Sequence, residues 1–269
     1  MLTVNTNTGA MIALQYLNQT NAQLAQTENQ VNTGLKVSSA KDDGATFAIA
    51  QGMRADVAAY SAVTDSLNRG VSTVDVALSA GQSISDLLIQ MKQKALAATD
   101  SSLDSASKSA LNADFQAMLS QISTIVSNAS FSGANLIDGS TTTSYSALAS
   151  TDGTSVITVT GVDFTASTLI GTADLTSGAT TALSAVSTAI ATVDTALATL
   201  SAGAKKFSIQ ATFVSQLSDA LTTGIGNLVD ADMAKESAML TALQTKQQLG
   251  VQALSIANTA PEIALKLFG

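Results

Sequence analysis

The sequence predicts a mainly α fold: a long antiparallel helical bundle with a terminal coiled coil and a small β-hairpin insert. Three observations predict it. The first is composition: the 269 residues include 1 proline, and aromatic residues make up 4%. Much of the apolar content is alanine, the best helix former and one that buries little area. Long, thin helices packed on one another follow from that mixture. The second observation is the return of apolar residues at alternating steps of three and four. The third is a Ser/Thr/Gly-rich middle stretch with a strand-like alternation inside it.

The first seam reads Ala10, Leu14, Leu17, Asn21, Leu24, Glu28, Val31 and Leu35. Asn21 and Glu28 interrupt it, and a polar residue at a core position sets register at a cost in stability. An ordinary amphipathic helix is the alternative reading. A second seam runs through Met53, Val57, Tyr60, Thr64, Leu67, Val71, Val74, Leu78, Gly81, Ser85 and Leu88. At the α-helical rise it spans roughly 54 Å. Gly70 and Gly81 each cost about 1 kcal/mol relative to alanine, so they mark either close helix approach or a bend.

The segment Asp100-Ser101-Ser102-Leu103-Asp104-Ser105 breaks this pattern and offers N-cap residues. A third seam follows, Leu111, Phe115, Met118, Ile122 and Ile125. The short connection predicts that it folds back antiparallel on the second helix. From Ser130 to about Thr181 serine, threonine and glycine dominate, and Ser155–Phe164 reads SVITVTGVDF. Its β-branched alternation predicts a strand or hairpin, with a disordered linker as the rival.

The helical pattern returns at Leu183 and continues through Val186, Ile190, Val193, Leu197, Leu200, Ala204, Phe207, Ala211 and Val214, then Leu221, Ile225 and Leu228. The last segment carries Met233, Leu240, Leu243, Val251 and Leu254. Pro261 is expected to end or kink that helix. Each terminal helix has no partner in the chain except the other. A lone amphipathic helix is marginal in water, so the two pair with each other or with another molecule. Leu14, Leu17, Leu24, Val31, Met233, Leu240, Leu243, Val251 and Leu254 are therefore the candidate assembly interface.

The composition excludes several chemistries. Cysteine, histidine and tryptophan are each absent, which removes disulfides, Cys/His zinc sites, thiol nucleophiles and histidine triads. No catalytic, cofactor-binding or metal-ligating residue is assigned. The pairs Asp42/Asp43 and Asp230/Asp232 carry oxygen ligands for a cation, but they read better as turn and helix-cap carboxylates. A net charge of -8 opposes binding to a phosphate backbone, so no nucleic-acid partner is expected. No lysine or arginine lies between Lys108 and Lys205, which reads as solvation of an exposed anionic region. No run of eighteen apolar residues occurs, so no membrane insertion is expected. Met1–Asn7 lacks a basic cluster followed by an apolar core, so the chain either stays in the cytosol or leaves without a cleaved signal.

Several blocks, in order, resemble bacterial flagellin, the filament subunit of the flagellum. They are Val4-Asn5-Thr6-Asn7, the segment Ser39-Ala40-Lys41-Asp42-Asp43-Gly44-Ala45-Thr46-Phe47-Ala48-Ile49-Ala50, and Asn68-Arg69-Gly70-Val71-Ser72. Phe131-Ser132-Gly133-Ala134-Asn135-Leu136 matches the F-x-G-x-x-L of that family. Asp230-Ala231-Asp232-Met233-Ala234-Lys235-Glu236, and Ala257-Asn258 through Pro261 to Leu267, fit its C-terminal part. The resemblance covers roughly 1–138 and 183–269.

The resemblance implies a structural subunit that polymerises into the helical flagellar filament for motility, not an enzyme. It implies a discontinuous coiled-coil domain, 1–44 with 226–269, which lines the filament core. A bundle domain, 45–225, would carry 130–181 as a Ser/Thr-rich β-hairpin insert in place of the outer domains of larger members. The implied partners are other copies of the chain in a helical homopolymer, the flagellar type III export apparatus with a chaperone, the filament cap and the hook–filament junction proteins. The implied location is secreted, in the extracellular filament. A hook–filament junction protein of the same architecture is the alternative. Family members are often O-glycosylated, and Thr141, Thr142, Thr143, Ser150 and Thr154 are candidate positions. Residues 1–35 and 235–269 are expected to be disordered before assembly, because ordering their seams needs burial that the isolated chain lacks.

Overall fold

The structure is a computed structural model that describes residues 6–139 and 144–268; Val4, Asn5 and Thr141–Thr143 lie outside the described residues. Its elements, in order, are α1 Thr8–Thr33, α2 Gly44–Ala98, α3 Ser105–Asn128, β1 Ser130–Phe131, β2 Ala134–Asn135, β3 Ser144–Leu148, β4 Val156–Thr160, α4 Ala166–Leu169, α5 Leu175–Val229 and α6 Met233–Phe268. The fold is mainly α, with two small antiparallel strand pairs, β1–β2 and β3–β4. The chain divides into two compact units, Met1–Ala55 with Ala220–Gly269, and Asp56–Asp219.

In the second unit, α3 folds back on α2. Asp104 caps α3 by accepting from the Ser107 N–H at 2.8 Å. Lys94, near the end of α2, meets Asp114, early in α3, at 2.6 Å. That pairing requires antiparallel helices. Leu88, Met91, Phe115, Ile122, Val193, Leu200 and Phe207 are fully or almost fully buried in one continuous core.

The glycines of α2 mark close approach. A Cβ on Gly81 would stand 2.6 Å from Leu197 Cδ2, and one on Gly70 would stand 3.1 Å from Phe207 Cε2. The helix runs unbroken through both positions.

The insert is a hairpin. Ser144 pairs with Thr160, and the register continues to Leu148 with Val156. Only β4 was legible in the sequence; β3, SYSAL, hides in a serine-rich stretch. The hairpin lies on the bundle: Ser66 Oγ accepts from the Leu148 N–H at 3.1 Å, and Tyr145 stacks edge-on against Phe207. The F-S-G-A-N-L block forms the tight β1–β2 turn. Ser132 and Gly133 take positive φ there, 50° and 82°. Buried Asn135 then donates to the Val126 carbonyl at 2.6 Å, which satisfies an end group of α3.

Two boundaries differ from expectation. Helix α5 begins at Leu175, eight residues before the first seam residue, because Asp174 accepts from the Thr176 N–H at 2.6 Å and Asn112 Oδ1 accepts from the Leu175 N–H at 3.0 Å. A non-helical Gly178 separates this first turn from the rest, which is why periodicity alone missed it. Helix α6 also continues through Pro261 to Phe268 rather than ending there. A proline removes one backbone donor, and a long helix tolerates that loss at a distance from its packed centre. By length and composition α5 is apolar enough to cross a membrane, yet it turns Val186, Val193, Leu200 and Phe207 into the bundle core.

Candidate assembly surface

The candidate interface residues lie in the first unit, on α1 and α6. These helices run antiparallel. Asn7 Nδ2 donates to the Ala257 carbonyl at 2.7 Å, and Gln247 Nε2 donates to Asn21 Oδ1 at 2.8 Å. Asn7 also caps α1 by accepting from the Ala10 N–H at 3.0 Å.

The line of least exposure on α1 runs through Ala10, Ala13, Leu17, Thr20, Leu24, Thr27 and Val31. On α6 it runs through Glu236, Leu240, Leu243, Gln247, Gly250, Leu254 and Ala257. Leu24 and Leu243 are buried, while Leu17, Val31, Leu240 and Leu254 are half-buried in the same seam. Leu14, Met233 and Val251 are not in it; their exposures are 47%, 43% and 54%.

The expected α1 seam is therefore out of phase at every second place. Leu14, Asn21 and Glu28 stand beside the seam, and Ala13, Thr20 and Thr27 occupy it. Two thin helices approach closely only over small residues. Thr20 is fit for burial because its hydroxyl bonds the Tyr16 carbonyl at 2.9 Å. Asn21 acts from the seam's edge, through its bond to Gln247.

Large apolar side chains consequently point outward. Stepping one residue back from each α6 seam position between Leu240 and Ala257 gives Met239, Ala242, Lys246, Leu249, Ala253 and Ile256, a second stripe with the same three–four spacing. All six are exposed. On this side Tyr16 joins Lys246, Leu249 and Ala253 around an open recess of about 240 Å³. On the other side Met11 and Leu14 of α1, with Leu254 and Asn258 of α6, line a recess of about 380 Å³. Met11, Ile12, Tyr16, Met239, Leu249 and Ile256 were missed by the sequence reading, although the second stripe is present in the α6 sequence.

The links at the base of the two helices are stitched by backbone. The Lys36 N–H donates to the Val229 carbonyl at 2.7 Å, and the Ala231 N–H donates to the Gly34 carbonyl at 2.9 Å. Val37, Ala50 and Val229 form a small core beside them. The Asp42 Oδ2 atom accepts from the N–H and the hydroxyl of both Ser38 and Ser39, at 2.9–3.2 Å. The Ser38 hydroxyl, followed by the Ser39 N–H, holds the Asp42 carboxyl below its ordinary pKa. Asp43 is lowered as well, first by the Thr46 hydroxyl and then by the Thr46 N–H, and it caps α2. Asp232 caps α6 through the Ala234 and Lys235 N–H groups. These carboxylates are committed to turns and caps, and among the described residues no group of three or more ligating side chains gathers.

Residues 4–142 match the bacterial flagellin N-terminal helical region, and residues 183–268 match the bacterial flagellin C-terminal helical region. The chain belongs to the bacterial flagellin family. Flagellin FljM of Caulobacter vibrioides is 49% identical over 269 residues, covering 98% of each chain. Flagellin FljK of the same organism is 48% identical over 271 residues, again covering 98% of each. A flagellin of Brucella melitensis is 38% identical over 282 residues, covering 100% of this chain and 99% of that one. As a flagellin, the chain is a self-polymerising structural subunit of the flagellar filament and not an enzyme. These full-length matches do not favour the hook–filament junction alternative.

Proposed function

We propose that this flagellin builds its filament by packing the outward faces of its α1/α6 pair against the pairs of neighbouring copies. Leu17, Leu24, Val31, Leu240, Leu243 and Leu254 hold the pair. Leu14, Met233 and Val251, with Tyr16, Leu249 and Ile256, meet other copies. One observation carries the reading: the pair closes over a narrow seam of leucine, valine, alanine, threonine and glycine, and leaves Leu14, Tyr16, Met239, Leu249, Val251 and Ile256 in water. Each leucine buried on assembly contributes on the order of 1.5–3 kcal/mol, and ordering entropy offsets part of that. Two unlike faces give a heterologous contact, which extends as a helical fibre when it does not close.

In this reading residues 1–44 with 226–269 are the coiled-coil assembly domain, and 45–225 form the bundle domain with 130–181 as its insert. Family membership supports secretion through the flagellar type III apparatus with a chaperone, and an extracellular place capped and anchored by the filament cap and hook–filament junction proteins. The test is seeded growth of purified chain followed by electron microscopy. Wild type extends seeds, and Leu249→Asp does not. Normal filaments from Leu249→Asp overturn the packing proposed here.

A further inference from the structure

Methionine is the soft, oxidisable side chain of this protein: 7 methionines occur, with no cysteine, histidine or tryptophan. Their distribution is uneven. Met11 is 64% exposed, Met239 46% and Met233 43%, all three on the α1/α6 pair, whereas Met91 is completely buried in the bundle. Met11 also lines the larger recess, together with Leu14 and Leu254.

We propose that Met11, Met233 and Met239 are oxidative modification sites that make assembly redox-sensitive. This rests on the packing reading above. The oxidant is a peroxide. The thioether sulfur attacks one peroxide oxygen, an S–O bond forms as the O–O bond breaks, and the second oxygen leaves as water. Sulfur is oxidised by two electrons and the peroxide is reduced by two.

The sulfoxide turns a flexible apolar side chain into a polar one. Burying its S–O dipole against apolar neighbours without a hydrogen-bond donor is unfavourable. A chain oxidised before assembly is therefore rejected by the growing polymer. A chain already packed has the same sulfurs covered and is spared. Reversal needs only a sulfoxide reductase, so rejected chains are recoverable.

The experiment uses full-length chain, hydrogen peroxide and seeds, with each methionine followed by peptide mass. In free chain Met11, Met233 and Met239 each gain one oxygen and Met91 does not. In filaments Met11, Met233 and Met239 are protected. Peroxide-treated chain extends seeds about tenfold more slowly or worse, as expected for polar groups buried at each contact. Methionine sulfoxide reductases restore the untreated rate. The M11L/M233L/M239L variant is compared with itself before and after peroxide, and its rate does not change. Undiminished growth of wild type carrying all three sulfoxides overturns the proposal, as does an equal peroxide loss in M11L/M233L/M239L or a failure of the reductases to restore growth. Normal filaments from Leu249→Asp overturn the packing reading instead, which keeps the two failures apart.

Discussion

Gly203 of α5 lies directly under Val159 of β4: a Cβ built on the glycine would fall 2.7 Å from both valine methyl carbons. A branched side chain has no alternative rotamer that clears both contacts. The hairpin therefore sits on the bundle only because position 203 has no side chain. Gly203→Ala is expected to destabilise the bundle by about 1–3 kcal/mol, the usual cost of overpacking. Val159→Ala in the same chain should recover part of the loss. A double-mutant cycle by urea denaturation measures the coupling, and additivity of the two changes would show that the contact is not felt.

Leu14→Asp and Leu24→Asp should fail in different ways. Leu14 is exposed beside the seam, so its change leaves the α1/α6 pair helical while it stops filament growth. Leu24 is 8% exposed, and a carboxylate there also separates the pair. Circular dichroism and electron microscopy on both variants distinguish the outcomes. Equal helix loss in the two would contradict the phase assigned to α1.

Trypsin should read assembly at the ends of the chain. Lys36, Lys41, Lys235 and Lys246 flank or lie on the pair, and all four are exposed. An isolated two-helix pair opens easily. The four sites should be cut quickly in free chain and slowly in filaments. Equal resistance in both forms would show that the pair is already fully stable alone.

Acid should loosen the link between α1 and α2. The folded pKa values of Asp42 and Asp43 lie below the ordinary 3.8. A depressed folded pKa gives stabilisation that is present above the unfolded pKa and is lost as pH falls through the folded value. Amide protection at Ser38, Ser39, Ala45 and Thr46, measured against the free-peptide exchange rate at the same pH, should therefore hold at neutral pH and fall below the ordinary carboxylate range. Asp42→Asn should remove that pH dependence at Ser38 and Ser39. The hairpin tip should resist further into acid, because the Ser150 hydroxyl, followed by the Thr154 hydroxyl and N–H, lowers Asp152 to about 2.

The helices were legible because three–four spacing survives any single misplaced residue. Their phase was not. The expected seams chose Leu14 over Ala13, Leu78 over Ala77 and Leu197 over Ala196, and in each case the alanine is the more buried member. Reading by size favours the large neighbour, whereas helices that approach closely put the small one between them. In the three-helix bundle the error is mild, because Leu78 and Leu197 still pack against the core. In the two-helix pair it matters, because the buried stripe is narrower and Leu14 is left outside. The strand β3 was hidden for a different reason: Ser144 and Ser146 carry no apolar signal, and the pairing that makes them strand comes from β4.

The backbone stitch between residues 34–37 and 229–231 has a topological consequence. It delivers α1 and α6 side by side, a few residues from where each begins or ends. Such tethering gives each helix a high local concentration of its own mate, in the millimolar range for short flexible links. Exchange of α1 between molecules is suppressed for that reason. Each copy enters the growing structure as a self-contained block rather than as one strand of a shared weave.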